Sequence, residues 1–343
     1  MPGVGVHYWN DARGKPGGVA GLDFGAQIPR NLLVNGGFTV NQRGAPIHGS
    51  PGFVCDRWWA TTSNVNFSVQ VIPPLFSSSF SAAFLQFGQA NAGDTAIVRY
   101  AGIETIDSIK LSNQTLTLAV SYNNRVQGVS TLSVKVVMGT GNDQNFTTSG
   151  SYATGNSVLA SMSIDLSTFG AQLTQTLSFN TPSNLSEISL QFDYACVSPG
   201  FVDSFFILGV SLAQGNAAIP YNVYSFGMEL AACQRYFQRY NSSGDTFAPF
   251  GMGMCLAGTV ALVSMTYIVQ MRAAPSVTQN GNWAVRSAAN TLLPVTSFTA
   301  GNRDVHAAEL DLIIGGGGLV AGNSTFFQAN NSATGDVFLD AEL

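Results

Sequence analysis

Short runs in which apolar and polar residues alternate dominate the chain from about position 31 to 223. They include NFSVQVI (66–72), FSAAFLQF (80–87), TAIVRYA (95–101), QTLTLAVSY (114–122), STLSVKVVM (130–138), SVLASMSID (157–165), TQTLSFN (174–180), SEISLQFDY (186–194) and FFILGVSL (205–212). A two-residue period sends successive side chains to opposite faces of a sheet, so each run reads as a strand with one face toward a core. Turn chemistry separates the runs: Asn123-Asn124, GTGND at 139–143, TPSN at 181–184 and SPG at 198–200. Many short strands with no helical period between them predict a jelly-roll β-sandwich over 30–223.

The period changes once. In SFGMELAACQRYFQRY (225–240), Phe226, Leu230, Cys233, Phe237 and Tyr240 fall on one face at helical spacing. Glu229 lies near the start, Arg235 and Arg239 near the end, and Ser225 stands where an N-cap is needed. This spacing predicts a helix over 225–240 that opens a second region, 224–343. Strand-like runs resume at 258–271, 276–287, 294–299, 308–314 and 324–329, and the chain ends VFLDAEL. The predicted class is mainly β: a jelly roll followed by a second β-sandwich-like domain with one short helix. Residues 1–29 are rich in Gly and Pro without any period, and read as an extended arm ordered by docking.

Composition sharpens this picture. Of 343 residues, 10% are charged, against about 25% in ordinary soluble domains, while 45% are apolar. The 23 Phe, 10 Tyr and 4 Trp can furnish a large core and argue against disorder. A surface this poor in charge must be Ser, Thr, Asn and Gly, or be covered by other subunits. Net charge is −5 without a Lys/Arg run, which removes the footprint of a nucleic-acid binder. The first residues carry no apolar secretory signal. Cys55, Cys196, Cys233 and Cys255 are far apart and form no CxxC, so buried free thiols are expected rather than zinc or disulfides. Residues 247–271 carry no charge and are long enough to span a bilayer. Pro249, Gly251, Gly253 and Gly258 break their first half, however, and TVALVSMTYIVQM alternates like a strand, so no membrane insertion is expected.

Catalytic signatures are missing from the sequence. His7, His48 and His306 are isolated, GxSxG does not occur, and GGGG at 315–318 lacks the Lys-Ser/Thr of a phosphate loop. Asp193 and Asp203 lie in or beside strands and are candidates for calcium, with turn or edge acids as the plainer reading. Glu309 and Asp311 alternate along one strand, which makes them a solvated face. In GFVCDRWWAT, alternation through one strand would place Phe53, Cys55, Arg57 and Trp59 on one side and Val54, Asp56, Trp58 and Ala60 on the other. One tryptophan then belongs to the core, while the other meets a ligand, a neighbouring subunit or a second domain. Aromatic rings stack on sugar faces, so Trp59, Arg57 and Trp283 are the glycan-binding candidates, Trp283 being loop-flanked in QNGNWAV with a core position as its plainer reading. In NLLVNGGFTVNQRG (31–44), Asn35-Gly36-Gly37 reads as a turn, Leu33 and Phe38 as core anchors, and Asn41, Gln42 and Arg43 as the residues that fix the arm-to-domain junction.

Four stretches, in order, resemble a known family. NLLVNGGFTVNQRG followed by FVCDRWWA is similar to the opening of many bacteriophage tail fibre and virion-attachment proteins, and its first half resembles the opening strand of carbohydrate-binding-module jelly rolls. LGVSLAQGNAAIPYNVYSFGMELAACQRYF, YIVQMRAAPSV and the terminal FLDAEL resemble later motifs of the same phage family. The chain departs from that pattern at Ala213-Gln214, where the family often has an acid before the glycine. The resemblance implies a non-enzymatic structural protein of a virion, a homotrimer that displays a sugar-binding jelly roll toward a host glycan or receptor. It implies attachment to other virion proteins through the arm, for which Trp9, Asp11 and Phe24 are the candidates. No cofactor is expected beyond a calcium ion at Asp193 and Asp203. The alternatives are a capsid-bound head fibre or decoration protein, a glycan depolymerase, and a cellular carbohydrate-binding module.

Overall fold

The computed structural model describes residues 30–342 except 44–45, 74–82, 89–90, 125–128, 167–169, 171, 199–203, 223 and 288. The expected arm, with Trp9, Asp11 and Phe24, lies outside the described residues, as does Asp203.

The first part of the chain forms strands β1 (Ile47–His48), β2 (Gly52–Cys55), β3 (Trp58–Thr62), β4 (Ser68–Ile72), β5 (Phe84–Gly88), β6 (Thr95–Tyr100), β7 (Thr115–Asn124), β8 (Val129–Gly139), β9 (Ser157–Ile164), β10 (Gln172–Asn180), β11 (Glu187–Ser198) and β12 (Ser204–Gln214), with a single-turn helix α1 (Thr105–Ser108). They make two six-stranded sheets, ordered β1-β4-β5-β12-β7-β10 and β2-β3-β6-β11-β8-β9. The alternation is the cause of the layering. Leu116, Leu118, Val120 and Tyr122 of β7 point inward and meet Leu132, Val134, Val136 and Met138 of β8 in one core. Trp58 sits in that core, edge-on to Tyr100 and Phe192.

GFVCDRWWAT is a hairpin and not one strand. β2 and β3 pair antiparallel around Asp56-Arg57, and Arg57 turns the chain with a left-handed φ of 70°. Alternation therefore restarts at Trp58, and Arg57 belongs to the turn rather than to a strand face.

The second part opens on helix α2 (Phe226–Gln234). It is shorter than the expected 225–240, because Tyr236 closes a turn onto Cys233 and Phe237–Asn241 becomes β13, paired with the last strand of the chain. Strand pairing has overridden the helical spacing of Phe237 and Tyr240. The buried helix positions are Glu229 and Cys233, while Phe226 is exposed. Ser225 holds the N-cap position without a side-chain capping bond. The remaining strands are β14 (Pro249–Ala257), β15 (Val260–Thr266), β16 (Ser276–Asn280), β17 (Trp283–Arg286), β18 (Leu292–Arg303), β19 (Ala307–Ile314), β20 (Ser324–Ala329) and β21 (Asp336–Asp340). β13, β21 and β16 form a small sheet, and β14-β15-β19-β18-β17-β20 close into a barrel. The β architecture expected here is present, but it closes on itself and so leaves no free strand edges in the ring. Residues 247–271 supply two of its staves, and no helix among the described residues is long and apolar enough to cross a membrane. Glycine makes β14 possible: a Cβ at Gly253 would lie 1.8 Å from the Leu262 carbonyl oxygen.

Candidate functional site

The opening motif is built around Asn35. Its φ of 59° is a left-handed conformation that Asn tolerates better than most residues, and it is fully buried. Its side-chain amide donates to the carbonyls of Val40 and Asp56, both at 2.8 Å, and its Oδ1 accepts from Val40 N–H at 3.0 Å. Its own carbonyl accepts from Trp58 Nε1 at 2.9 Å, and its N–H donates to Glu229 of α2. One residue thus ties the β2–β3 turn to the helix of the second region. Gly36 makes the close approach possible, since a Cβ there would lie 2.2 Å from the Val210 carbonyl oxygen.

The next residues complete a junction between the two parts. Gln42 donates from its backbone N–H and its Nε2 to the Asp56 carboxylate, at 2.6 and 3.1 Å, and from Nε2 to the Phe237 carbonyl at 2.9 Å. Arg43 donates to Asp340 at 2.8 Å and to Glu342 at 3.1 Å, with its guanidinium between the rings of Phe53 and Phe237, 4.0 and 3.8 Å from their centroids. Arg57 donates to Glu342 and to the Gly102 carbonyl, and lies 3.6 Å over the Tyr236 ring. Arg235 meets Glu104 in a two-pronged ion pair at 2.8 and 2.9 Å. NQRG, DRW, CQRY and the terminal DAEL, distant in sequence, are therefore parts of one joint. Gln42 and Arg43 are expected at an arm-to-domain junction, and the arm lies outside the described residues; what the two residues join here is the sandwich and the C-terminal β region.

Electrostatics at the joint follow from burial. Withdrawal from water raises the Asp56 carboxyl to about 6, against the opposing hydrogen bonds from Gln42 and the charge of Arg43. Burial likewise pushes up the Cys55 and Cys233 thiols, and all four cysteines are free and buried, as the sequence predicts.

The glycan candidates fall in three different settings. Arg57 is fully buried, and its guanidinium is engaged by Glu342, Gly102 and Tyr236, so it is a joint residue and has no face for a sugar. Trp59 is buried on the other side of its sheet from Trp58. It lies beneath Arg99, whose guanidinium is 5.0 Å from its ring and is itself held by the Thr147 and Thr148 carbonyls. The chain's own loop covers the second tryptophan, which accounts for two adjacent tryptophans without a ligand. Asp193 is paired with Lys135 at 2.8 Å and accepts from Gln191 at 2.7 Å, so a cation there would have to displace the lysine. Among the described residues no group of three His, Cys, Asp or Glu side chains is placed to hold a metal ion.

Trp283 borders a cleft. It lies at the start of β17, packed edge-on to Phe250 and against Phe327, and its Nε1 donates to Gln279 Oε1 at 2.5 Å. The cleft above it, about 270 Å³, is lined by Gln279, Asn282, Thr296, Ser297, Phe298 and Asn330 together with Gly281, Pro294 and Val295. No lining residue is charged. Trp283 itself is a core residue, 4% exposed and packed by Phe250, Phe298 and Phe327, so the cleft offers a ligand its rim of amides and hydroxyls rather than an open aromatic face. Such a rim suits a neutral, hydroxyl-rich ligand, which needs many hydrogen-bonding groups and no counter-charge. A larger, open depression at one end of the sandwich, with Met138, Thr140, Ser157, Asn180 and Asn184 on its walls, has no aromatic lining.

No protein-family model and no curated protein matches the chain. The solved structures that resemble it include carbohydrate-binding modules and a phage tailspike domain. One is a module-plus-catalytic-domain fragment of Clostridium thermocellum endo-1,4-β-D-xylanase 10B with xylohexaose: 14% identity, 49% of this chain and 28% of that one, TM-score 0.30. A second is the carbohydrate-binding module TmCBM61 with β-1,4-galactotriose: 16% identity, 54% of this chain and 99% of that one, TM-score 0.32. A third is the enzymatically active domain of bacteriophage CBA120 tailspike protein 4: 12% identity, 54% of this chain and 21% of that one, TM-score 0.34. The chain thus spans under a third of the xylanase and tailspike chains. These likenesses are partial, and the functional reading rests on the residues of this chain.

Proposed function

We propose that this protein is a non-enzymatic structural subunit of a bacteriophage virion fibre or spike, tail-associated and homotrimeric, which attaches to the host surface by binding a neutral glycan. The observation that carries the glycan reading is the uncharged cleft over Trp283, with Gln279, Asn282 and Asn330 presenting amides around it. Cleavage of a glycosidic bond uses a pair of carboxyl groups flanking the bond, and neither Asp nor Glu lines this cleft, which favours binding over hydrolysis. The resemblance of the ordered motifs to those of phage fibre proteins supports the virion assignment. Their convergence on a buried joint supports a rigid mechanical role, because an attachment protein must transmit force between its modules. The virion contact is assigned to residues 1–29.

A glycan array probed with the full chain tests the binding reading, and host surface polysaccharide incubated with it tests the non-enzyme reading. Selective retention of neutral glycans without shortening of the polysaccharide is expected; shortened chains would make it a depolymerase. Immuno-electron microscopy of particles tests the location, and label on the capsid shell would replace the tail assignment with a head fibre or decoration protein.

A further inference from the structure

The outer wall of the barrel carries an apolar strip with opposite charges on its two flanks. Partners directly across a strand pair share a face, so the strip can be read from the register. Met252 of β14 stands opposite Phe326 of β20 on one side and Ser264 of β15 on the other. Met254 stands opposite Leu262, and Val260 opposite Ile313 of β19. Met252, Met254, Leu256 and Phe326 are 67%, 48%, 47% and 45% exposed, which is unusual for large apolar side chains clustered on adjoining strands.

The flanks differ in sign. On one side, Arg286 of β17 lies directly opposite Phe326. Its guanidinium donates to Gln328 at 3.1 Å and Asn290 at 2.6 Å, both neutral. On the other side, Glu309 is opposite Ser264 and Asp311 opposite Leu262. Asn302 donates to Glu309 at 3.3 Å, and among the described residues no ion pair involves Arg286, Glu309 or Asp311.

We propose that this wall is the surface through which copies of this chain assemble. Residues 247–271 contain no charge, so the middle of the strip offers nothing to a charged partner, whereas a second copy brings an equally neutral, apolar strip. A symmetry axis parallel to the strands places the Arg286 flank of one copy against the Glu309–Asp311 flank of its neighbour. That order holds around a twofold or a threefold axis, and the threefold case turns the Met252–Met254 row toward the axis. Because the barrel is closed, the contact is made by side chains, not by strand addition. The inference rests on the multimeric reading given above and adds to it the surface and its polarity.

Light scattering and sedimentation of the full chain over a wide concentration range test it, with circular dichroism as the folding control. The wild type is expected to be an oligomer. Arg286→Glu sets three acids against one another across the contact and should shift the protein to monomer, as should Glu309→Lys with Asp311→Lys. Combining all three reversals in one chain should restore the oligomer. A wild-type monomer would overturn both the multimeric reading and this surface. A wild-type oligomer indifferent to folded charge-reversal variants would overturn this surface and leave the multimeric reading standing. Glycan binding, scored separately, is not decided by either outcome.

Discussion

The guanidinium of Arg57, without solvent exposure, is ion-paired to the carboxylate of Glu342, 285 residues further along the chain. The turn of the second hairpin and the end of the chain are thereby parts of one buried contact, which Arg43 extends by a second bond to Glu342.

Removing the acid leaves Arg57 buried without a counter-charge. Glu342→Gln is therefore expected to lower unfolding free energy by about 3–5 kcal/mol, the usual cost of stripping one partner from a buried pair. Urea denaturation checks this, and a loss below about 1 kcal/mol would show that water or Asp340 compensates.

Asp56 makes the joint sensitive to pH. Its carboxyl is raised by burial from 3.8 to about 6. The folded state therefore holds the proton more tightly than the unfolded state. The associated stability is fully present below pH 3.8 and is lost as pH rises through about 6. A shift of this size corresponds to roughly 3 kcal/mol. Wild type should gain stability relative to Asp56→Asn as the buffer is taken from pH 7 to pH 4, since the variant lacks the titration. A constant difference between the two denaturation midpoints across that range would refute it.

Asn35 combines two demands that separate on substitution. Asn35→Ala and Asn35→Gly both remove the amide that serves Val40 and Asp56, leaving buried backbone groups unpaired at about 1–3 kcal/mol each. Alanine also has to adopt a φ near 59°, so it should cost about 1 kcal/mol more than glycine. Equal destabilisation by the two, measured by thermal or chemical unfolding, would remove backbone strain from the explanation.

The thiols offer a simple probe of integrity. Cys55, Cys196, Cys233 and Cys255 are buried, and burial raises the Cys55 and Cys233 thiols further from their reactive form. None should react with a thiol reagent until the protein unfolds, and all four should then react together. Rapid labelling of one in the native protein would locate a local opening.

Alternation was enough to find the sandwich strands, because each has one face in a core and one outside it, as Leu132, Val134 and Val136 alternate with Ser133 and Lys135. It failed where a turn is hidden inside an alternating run. Arg57 continues the period of Phe53 and Cys55 although the chain reverses there. It failed again at Phe237 and Tyr240, whose spacing fits a helix while their backbone pairs with β21. β14 was missed because Gly251 and Gly253 look like breakers, although the glycines are what allow close strand approach. The joint was legible only as ordered motifs. Nothing local in Arg43, Arg57 or Arg235 says which acid each one meets, because those partners lie 131 to 297 residues away. Of the glycan candidates, Trp283 borders a cleft, as its loop-flanked context in QNGNWAV allows, while its ring fills the core as the plainer reading has it.

The cleft over Trp283 permits a test in which fold and binding separate. Asn282 is exposed on the rim, and its side chain makes no hydrogen bond among the described residues, so Asn282→Ala should leave the melting temperature unchanged. If the amide donates to or accepts from a sugar hydroxyl, its loss removes about 1–1.5 kcal/mol, or roughly tenfold in Kd. Trp283→Phe acts differently. It keeps an aromatic ring at this buried position but removes the Nε1 donor that orients Gln279, so Gln279 becomes free to turn and binding should weaken together with a loss of core packing and stability. Calorimetric titration of the strongest array ligand into the three proteins measures both effects. Unchanged affinity in Asn282→Ala and Trp283→Phe would move the glycan site away from this cleft, with the aromatic-free depression beside Asn180 and Asn184 the next surface to mutate.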